Sequence, residues 1–258
     1  MTLTLEQKEN IEATIKNSIR TKLKRYKRES QHMPFHYRLI GKDRMALFSF
    51  IQSLNTTFGT SIFEPVALDL AHKRYAKVEK QYVVGNQISE AAQQEIQLIM
   101  NELSMEVAPN KIAEVERIRK VCQQGTIRKL KTVKVDLFLQ DFDNDIHLFD
   151  LKTAKPNISN FKNYKRTLLE WIAILLYKNP TVNVHSYIAI PYNPYAPKPY
   201  KRWTLKGMLD LKQELKVAEE FWNFLGGENC YEELLDCFEN AGLSLRAELD
   251  AYFAKFKS

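Results

Sequence analysis

Two acidic residues and one lysine have a spacing that could bring them to a single reaction centre. Asp150 and Lys152 lie two residues apart in the segment IHLFDLKT, and Asp136 lies in the preceding segment TVKVDLFL. Two carboxylates that face each other can hold one divalent cation, and hard oxygen ligands favour Mg²⁺. Such an ion polarises a phosphate and activates water, and a lysine can orient that water or stabilise the growing negative charge. These residue types therefore suggest metal-assisted phosphodiester hydrolysis.

The pattern of an acid, any residue and a lysine is too common to be informative by itself. Three of its copies lie in segments with helical periodicity, where residues i and i+2 point in nearly opposite directions, and we expect these to be solvent-exposed charges. They are Glu6–Lys8, Asp210–Lys212 and Glu214–Lys216. Asp150 and Lys152 lie in a predicted strand, where residues i and i+2 share a face. This pair alone is expected to reach one reacting atom together.

A predicted β-hairpin over residues 132–153 must position these side chains. Its two apolar stretches flank the polar segment QDFDND, which is typical of a turn. If the hairpin turns symmetrically about Asp143, Asp136 faces Asp150, because each lies seven residues from Asp143. A register slip of one residue would move Asp136 to the other face. An ordinary charged surface hairpin is the alternative.

The rest of the chain predicts helices around a small sheet. The expected helices cover 5–28, 42–58, 60–80, 88–105, 109–123, 163–179 and most of the C-terminal third, and a further strand covers 182–191. The expected fold class is α/β (α+β), with a small mixed central sheet and helical N- and C-terminal regions. Without repeats or a Gly/Ser linker, a single domain over 1–258 is expected. Its parts are a mainly helical 1–123, a catalytic sheet core at 124–203 and a helical 204–258.

Composition favours a polyanionic partner in a reducing compartment. The formal net charge is +7 and the isoelectric point is about 9.1, so nucleic acid is a plausible ligand. The three cysteines are odd in number and lack the paired spacing of a zinc site. No apolar run is long enough to span a membrane. We therefore expect a soluble, cytoplasmic protein without a membrane partner.

Three basic segments are candidates for DNA contact, with solvated surface charge as the alternative. The segment after the lysine, KTAKPNISNFKNYKR, carries Lys155, Asn157, Lys162, Lys165 and Arg166. The loop YNPYAPKPYKRW interleaves aromatic side chains with cations that include Lys201 and Arg202. The segment MPFHYRLIGKDR adds Arg38, Lys42 and Arg44.

The acids and the lysine resemble the PD-(D/E)XK nuclease motif, with Val135 where the family pattern has proline. A resemblance over most of the chain, in MPFHYRLIGKDRMALFSFIQSLNTTFGTSIFEPVA, VKVDLFL…HLFDLKTAKPN and EFWNFLGG, is to the TdeIII-type type II restriction endonucleases. It implies a restriction-endonuclease-like core and a Mg²⁺-dependent homodimer. Such a dimer would cut double-stranded DNA at a short palindromic, GC-rich site of the GGNCC kind. A repair or recombination nuclease of the same superfamily and a non-catalytic DNA-binding protein are the alternatives.

The same resemblance implies roles for individual residues. Asp136, Asp150 and the carbonyl group of Leu151 become Mg²⁺ ligands, and Lys152 becomes the catalytic lysine. Many relatives add a glutamate from a preceding helix, for which Glu64 is the candidate here. The alternative for Glu64 is a capping box, in which Ser61 caps a helix and Glu64 returns to the Ser61 backbone.

Overall fold

A computed structural model describes residues 2–27, 32–152, 154–156, 160–201 and 207–255. Within it the chain forms two compact units. The helical unit comprises Met1–Leu70 and Gly226–Ser258, and the sheet unit comprises Ala71–Leu225. Among the helices of the described ranges, none combines the length and apolar character that a membrane span requires.

The helical unit is built on two long helices that pack together. They are α1 (Leu5–Arg25) and α10 (Cys230–Ala254). Thr4 begins α1 as the N-cap of a capping box with Gln7. The buried residues Ile11, Ile15 and Ile19 recur every four positions and give α1 one apolar face.

A nearly continuous helical segment completes this unit. It consists of α2 (Pro34–Ile40), α3 (Lys42–Thr57), a π-helical stretch (Phe58–Phe63) and α4 (Glu64–Ala71). The sequence predicts that a helix ends at Gly59, and this prediction is wrong because the chain stays helical through Phe58–Phe63. The prediction of helix up to residue 80 is also wrong, because α4 ends at Ala71.

In the described part of the sheet unit, five strands form a sheet in the order β1-β2-β3-β4-β5. They are β1 (Lys77–Ser89), β2 (Ile127–Gln140), β3 (Ile146–Leu151), β4 (Val184–Ile190) and β5 (Leu215–Val217). The pairs β1–β2 and β2–β3 are antiparallel, whereas β3–β4 and β4–β5 are parallel. The mixed sheet therefore confirms the predicted fold class.

Helices cover the sheet and connect its strands. They are α5 (Glu90–Ser104), α6 (Lys111–Val121), α7 (Phe161–Lys178), α8 (Leu211–Glu214) and α9 (Glu219–Gly226). Helix α7 packs on β1 and β4 and contributes Trp171 and Ile172 to the main core, which also includes Phe138 and Leu148. A Cβ at Gly85 would lie 2.8 Å from Ile174 of this helix, so the close approach of β1 to α7 requires glycine there.

Candidate active site

The two predicted acids lie on adjacent strands in the predicted register. Strands β2 and β3 pair Leu137 with Phe149 and Phe138 with Leu148, and the same register continues to the turn. The next position in this ladder brings Asp136 opposite Asp150. The turn itself is held by Asp141, whose Oδ1 accepts the backbone N–H groups of Asp143 and Asp145. The prediction of a hairpin that is symmetric about Asp143 is therefore confirmed.

Asp136 is held by hydrogen bonds from both neighbouring strands. Its Oδ2 accepts the backbone N–H of Leu151 on β3 at 2.8 Å. Its Oδ1 accepts the Nε2 amide of Gln81 on β1 at 3.1 Å. Because a carboxylate oxygen can accept more than one hydrogen bond, both oxygens keep the capacity to bind a further partner.

Asp150 is close to one cation and one anion. The ammonium Nζ of Lys152 lies 2.6 Å from its Oδ1. Burial raises the pKa of Asp150 to about 7, and the neighbouring carboxylate of Asp136 adds to this rise, although Lys152 opposes it. Two carboxylates in this position repel each other when both are charged. A divalent cation would remove that repulsion, so the donor set fits a cation of this kind.

The number of carboxylates restricts how such a cation could be held. No group of three or more His, Cys, Asp or Glu side chains in the described ranges is arranged to bind a metal ion. Mg²⁺ commonly uses one or two carboxylates and keeps water or substrate phosphate in its other positions. The pair Asp136 and Asp150 fits this mode of Mg²⁺ coordination better than it fits a structural metal site, in which protein ligands fill every position.

Lys152 is fixed by its main chain and by an aromatic ring. Its backbone N–H donates to the carbonyl oxygen of Ala189 on β4 at 2.9 Å. Its Nζ lies 5.0 Å from the centre of the Tyr164 ring on α7, which is within the range of a cation–π contact. The ammonium group therefore stays beside the carboxylates instead of extending into solvent.

Glu64 lies in the helical unit, where it is the buried first residue of α4. The capping-box interpretation is wrong, because Ser61 lies inside the π-helical stretch and does not begin a helix. The Ser61 carbonyl accepts a hydrogen bond from the Ser18 hydroxyl at 2.7 Å. The catalytic role of Glu64 stays a prediction.

Most of the predicted DNA-contacting cations are at the surface. Lys155 and Lys162 are exposed, and Arg166 is half-buried with a hydrogen bond to Gln97. The side chains of Arg38, Lys42, Arg44 and Lys201 are also exposed. Asn157 and Arg202 lie outside the described residues. DNA contact by these side chains stays a prediction.

Lys165 is the exception, and the prediction that it contacts DNA is wrong. Its side chain is fully buried, and its Nζ lies 2.5 Å from Glu114 and 2.6 Å from Glu214. Lys111 is 2.7 Å from the other oxygen of Glu214. Burial alone would raise the pKa of Glu214, but Lys111 and Lys165 bring it below its usual value. The four side chains form an internal charge network that no DNA phosphate can reach.

The second Asp-Leu-Lys tripeptide has a different role. Asp210 is the N-cap of α8, where its Oδ1 accepts the Lys212 backbone N–H and its Oδ2 accepts that of Lys111. The expectation of a plain solvent-exposed charge is thus wrong for Asp210 and also for the buried Glu214, but holds for Lys212, which is exposed.

Sequence reasoning missed two residues that contact the candidate centre. Gln81 lies on β1, which the sequence does not predict as a strand, so nothing pointed to its position beside Asp136. Tyr164 lies one helical turn from Phe161 on α7, which the sequence predicts as a helix over 163–179. Its contact with Lys152 could have been found only by placing α7 against β3.

The chain is similar in sequence to known type II restriction enzymes. A family model described as the type II restriction endonuclease HinfI matches residues 3–242. The type II restriction enzyme HgiCII of Herpetosiphon aurantiacus is 28% identical over 221 residues, which cover 84% of this chain and 80% of that protein. The type II restriction enzyme HgiEI of the same organism is 27% identical, with 84% and 79% covered.

A relative from a different organism is similar over a shorter part of its length. The type II restriction enzyme MjaII of Methanocaldococcus jannaschii is 29% identical over 209 residues, which cover 74% of this chain and 54% of that protein. These matches do not confirm the TdeIII-type subfamily that the sequence resemblance suggests.

Proposed function

Because the chain belongs to the HinfI family of type II restriction endonucleases, and is therefore a site-specific deoxyribonuclease, we propose that Asp136, Asp150 and Lys152 form its active site. The reaction is the Mg²⁺-dependent hydrolysis of phosphodiester bonds in double-stranded DNA at a short palindromic sequence. The observation that carries this proposal is the juxtaposition of the two carboxylates on β2 and β3 with the Lys152 ammonium group 2.6 Å from Asp150.

Each side chain has a distinct task in the proposed reaction. Asp136 and Asp150 would hold Mg²⁺, with the Leu151 carbonyl as a further oxygen ligand. The bound ion supplies positive charge at the scissile phosphate and makes water a better nucleophile. Lys152 donates a hydrogen bond to the attacking water or to a phosphate oxygen, and so stabilises the negative charge that grows during the reaction. Glu64 remains a candidate for an additional acidic group.

The surface cations supply the proposed contacts to the DNA backbone. Lys155 and Lys162 follow Lys152 closely along the chain, and Arg166 is one turn further along α7. Arg38, Lys42, Arg44, Lys201, Arg202 and Asn157 complete the proposed set. Phosphate contacts of this kind position a duplex without reading its sequence, so they leave the recognition sequence open.

A homodimer is the proposed functional form. One chain contributes one pair of facing carboxylates, whereas a duplex has two strands of opposite direction. A two-fold axis in the protein would match the two-fold axis of a palindrome and give one active site for each strand. Sedimentation should then give a mass of twice 30.2 kDa without DNA, and that mass plus the mass of one duplex with DNA. A monomer at all concentrations in both conditions would contradict this form.

The proposed setting is the cytoplasm, and the proposed organisation is a single functional domain. The three cysteines are all buried, and Cys122 and Cys237 are free thiols, which suits a reducing compartment that also contains DNA.

The function is tested by digesting plasmid DNA in Mg²⁺ and sequencing the fragment ends. Discrete fragments with one common end sequence are expected, and removal of Mg²⁺ with a chelator should abolish them. Lys152→Ala should lower the cleavage rate by about 10²- to 10⁴-fold, while DNA affinity changes little. Wild-type cleavage by this variant would place the chemistry elsewhere.

The chain provides its own matched control for this experiment. Lys212 lies in an identical Asp-Leu-Lys tripeptide but is an exposed residue of α8. Lys212→Ala should therefore cleave DNA like the wild-type protein. Equal losses in Lys152→Ala and Lys212→Ala would indicate a general effect of lost charge and contradict a catalytic role for Lys152.

A further inference from the structure

Gln81 lies beside the candidate active site on a strand that carries no predicted site residue. In the β1–β2 ladder, Lys80 pairs with Leu137 and Tyr82 pairs with Val135. Gln81 is therefore opposite Asp136, as Asp150 is on the other side. The side chains of Gln81, Asp136 and Asp150 therefore lie side by side on β1, β2 and β3, and Gln81 is the exposed member of this row.

The backbone of Gln81 has an unusual conformation for a strand. Its φ is +51°, in the left-handed region that a residue with a Cβ rarely adopts. Five non-glycine residues in the described ranges have positive φ, and the other four lie in turns or before helices. The ladder is in register immediately before and after Gln81, so no change of chain direction requires this conformation. Strained residues of this kind concentrate at functional sites.

The strained conformation is accompanied by a directed hydrogen bond. The Gln81 Nε2 amide donates to Asp136 Oδ1 at 3.1 Å, and the Leu151 N–H donates to Oδ2 at 2.8 Å. A hydrogen bond to each oxygen fixes both the rotation of the carboxylate and the direction of its remaining lone pairs. Leu151 supplies one of these anchors through its main chain, whereas the other depends on the side chain of Gln81.

A role in folding alone accounts poorly for this arrangement. The Gln81–Asp136 hydrogen bond is exposed to solvent, and such bonds add little to stability because water can replace them. A carboxylate that binds a metal ion, by contrast, is commonly held by a hydrogen bond from a neighbouring group, and losing that group weakens metal binding or activity.

We propose that Gln81 is a positioning residue of the active site, which orients the Asp136 carboxylate for a divalent cation and for the scissile phosphate. This inference rests on the proposed function of Asp136 and Asp150. Gln81 acts through Asp136 and takes no part in proton transfer.

The test compares Gln81→Ala, Gln81→Gly and Asp136→Ala with the wild-type protein. Gln81→Ala and Gln81→Gly should each lower kcat for DNA cleavage about 10- to 100-fold with KM nearly unchanged. Calorimetric titration of the DNA-free protein with Mg²⁺ should show a Kd weakened by about tenfold. Gln87→Ala is the matched control, because Gln87 is an exposed glutamine of β1 that pairs with Lys129, away from Asp136; it should match the wild type in both measurements.

Thermal unfolding separates positioning from a merely structural role. Glycine adopts positive φ without strain, so Gln81→Gly should unfold at the wild-type temperature or above it despite its lower kcat. If Gln81→Gly instead unfolds at a lower temperature and binds Mg²⁺ normally, the positioning role is overturned.

The control variant Asp136→Ala distinguishes a failure of the Gln81 role from a failure of the proposed active site. Wild-type cleavage by the Gln81 variants, together with loss of cleavage in Asp136→Ala, would overturn only the role of Gln81. Wild-type cleavage by Asp136→Ala would overturn the proposed active site and the role of Gln81 with it.

Discussion

Lys165 illustrates how burial changes the role of a charged residue. By sequence it belongs to a basic segment that follows Lys152, but its ammonium group lies between Glu114 and Glu214 inside the sheet unit. A signal for this burial was present in the sequence. Lys165 lies four residues after Phe161 and three before Leu168, which puts it on the apolar face of α7.

Removing one member of this buried network should be costly. Lys165→Met should lower the free energy of unfolding by roughly 3 kcal/mol, because two glutamates would remain buried with one lysine. Lys162→Met removes an exposed lysine of the same helix and should change the free energy of unfolding by less than about 0.5 kcal/mol. Denaturant unfolding of both variants measures the difference, and similar values would contradict the network.

His147 should make stability depend on pH. Burial, together with the nearby His185, lowers the pKa of His147 to about 4, although Asp141 opposes this shift. In the unfolded chain a histidine titrates near pH 6.5. Between these values the unfolded state binds a proton that the folded state does not, so stability is complete above about pH 6.5 and falls as the pH falls.

The expected loss from His147 is roughly 2 kcal/mol between pH 7 and pH 5. His147→Gln should remove this loss and so become more stable relative to the wild-type protein as the pH falls, whereas His72→Gln, which removes an exposed histidine, should not. Denaturant unfolding of the wild-type protein and both variants at several pH values measures how the free energy of unfolding depends on pH. A difference in stability between the wild-type protein and His147→Gln that stays the same from pH 7 to pH 5 would contradict the prediction.

At the level of elements, the hairpin of β2 and β3 creates the candidate site. A shift of one residue in its register would turn Asp136 to the other face of the sheet. The turn supports this register through Asp141 and through Asn144, which has a φ of +70°. Asparagine tolerates this conformation better than most residues.

The turn can be tested by changing Asn144. Asn144→Val should lower the free energy of unfolding by about 1–2 kcal/mol, because a β-branched residue is strained at positive φ. Asn144→Gly should be nearly neutral. Thermal unfolding and cleavage assays of both variants would check this. Equal stability of Asn144→Val and Asn144→Gly would show that the positive φ at residue 144 does not contribute to the stability of the hairpin.

Sequence periodicity predicted the elements with a regular apolar pattern and missed those without one. The hairpin register, α7 and β4 could be predicted because alternating or helical apolar residues define them. Strand β1 could not, because it is an edge strand whose sequence KVEKQYVVGNQIS is rich in charged and polar residues. Strand β5 has only three residues. The helix stop at Gly59 was predicted from a glycine that the π-helical stretch accommodates.

At the level of the whole molecule, the excess of positive charge should control DNA affinity. With a formal net charge of +7, binding should weaken as salt rises, because phosphate contacts release counterions. The double variant Lys155→Ala and Lys162→Ala should reduce the slope of log K against log salt by about 2. Fluorescence anisotropy with a labelled duplex in a chelator measures this slope. Lys212→Ala serves as the control, and an equal reduction there would argue against specific phosphate contacts.

The hydrogen bond from the Leu151 main chain to Asp136 has a consequence for observing the site. This amide donates to a carboxylate of β2, whereas the next amide, that of Lys152, donates to a backbone carbonyl of β4. Deuterium uptake at the Leu151 amide therefore reports whether the Asp136 carboxylate accepts its hydrogen bond. Uptake at the Lys152 amide reports whether β3 and β4 are paired. Two consecutive amides thus provide a probe and its internal reference, which could follow the site in solution without substitutions.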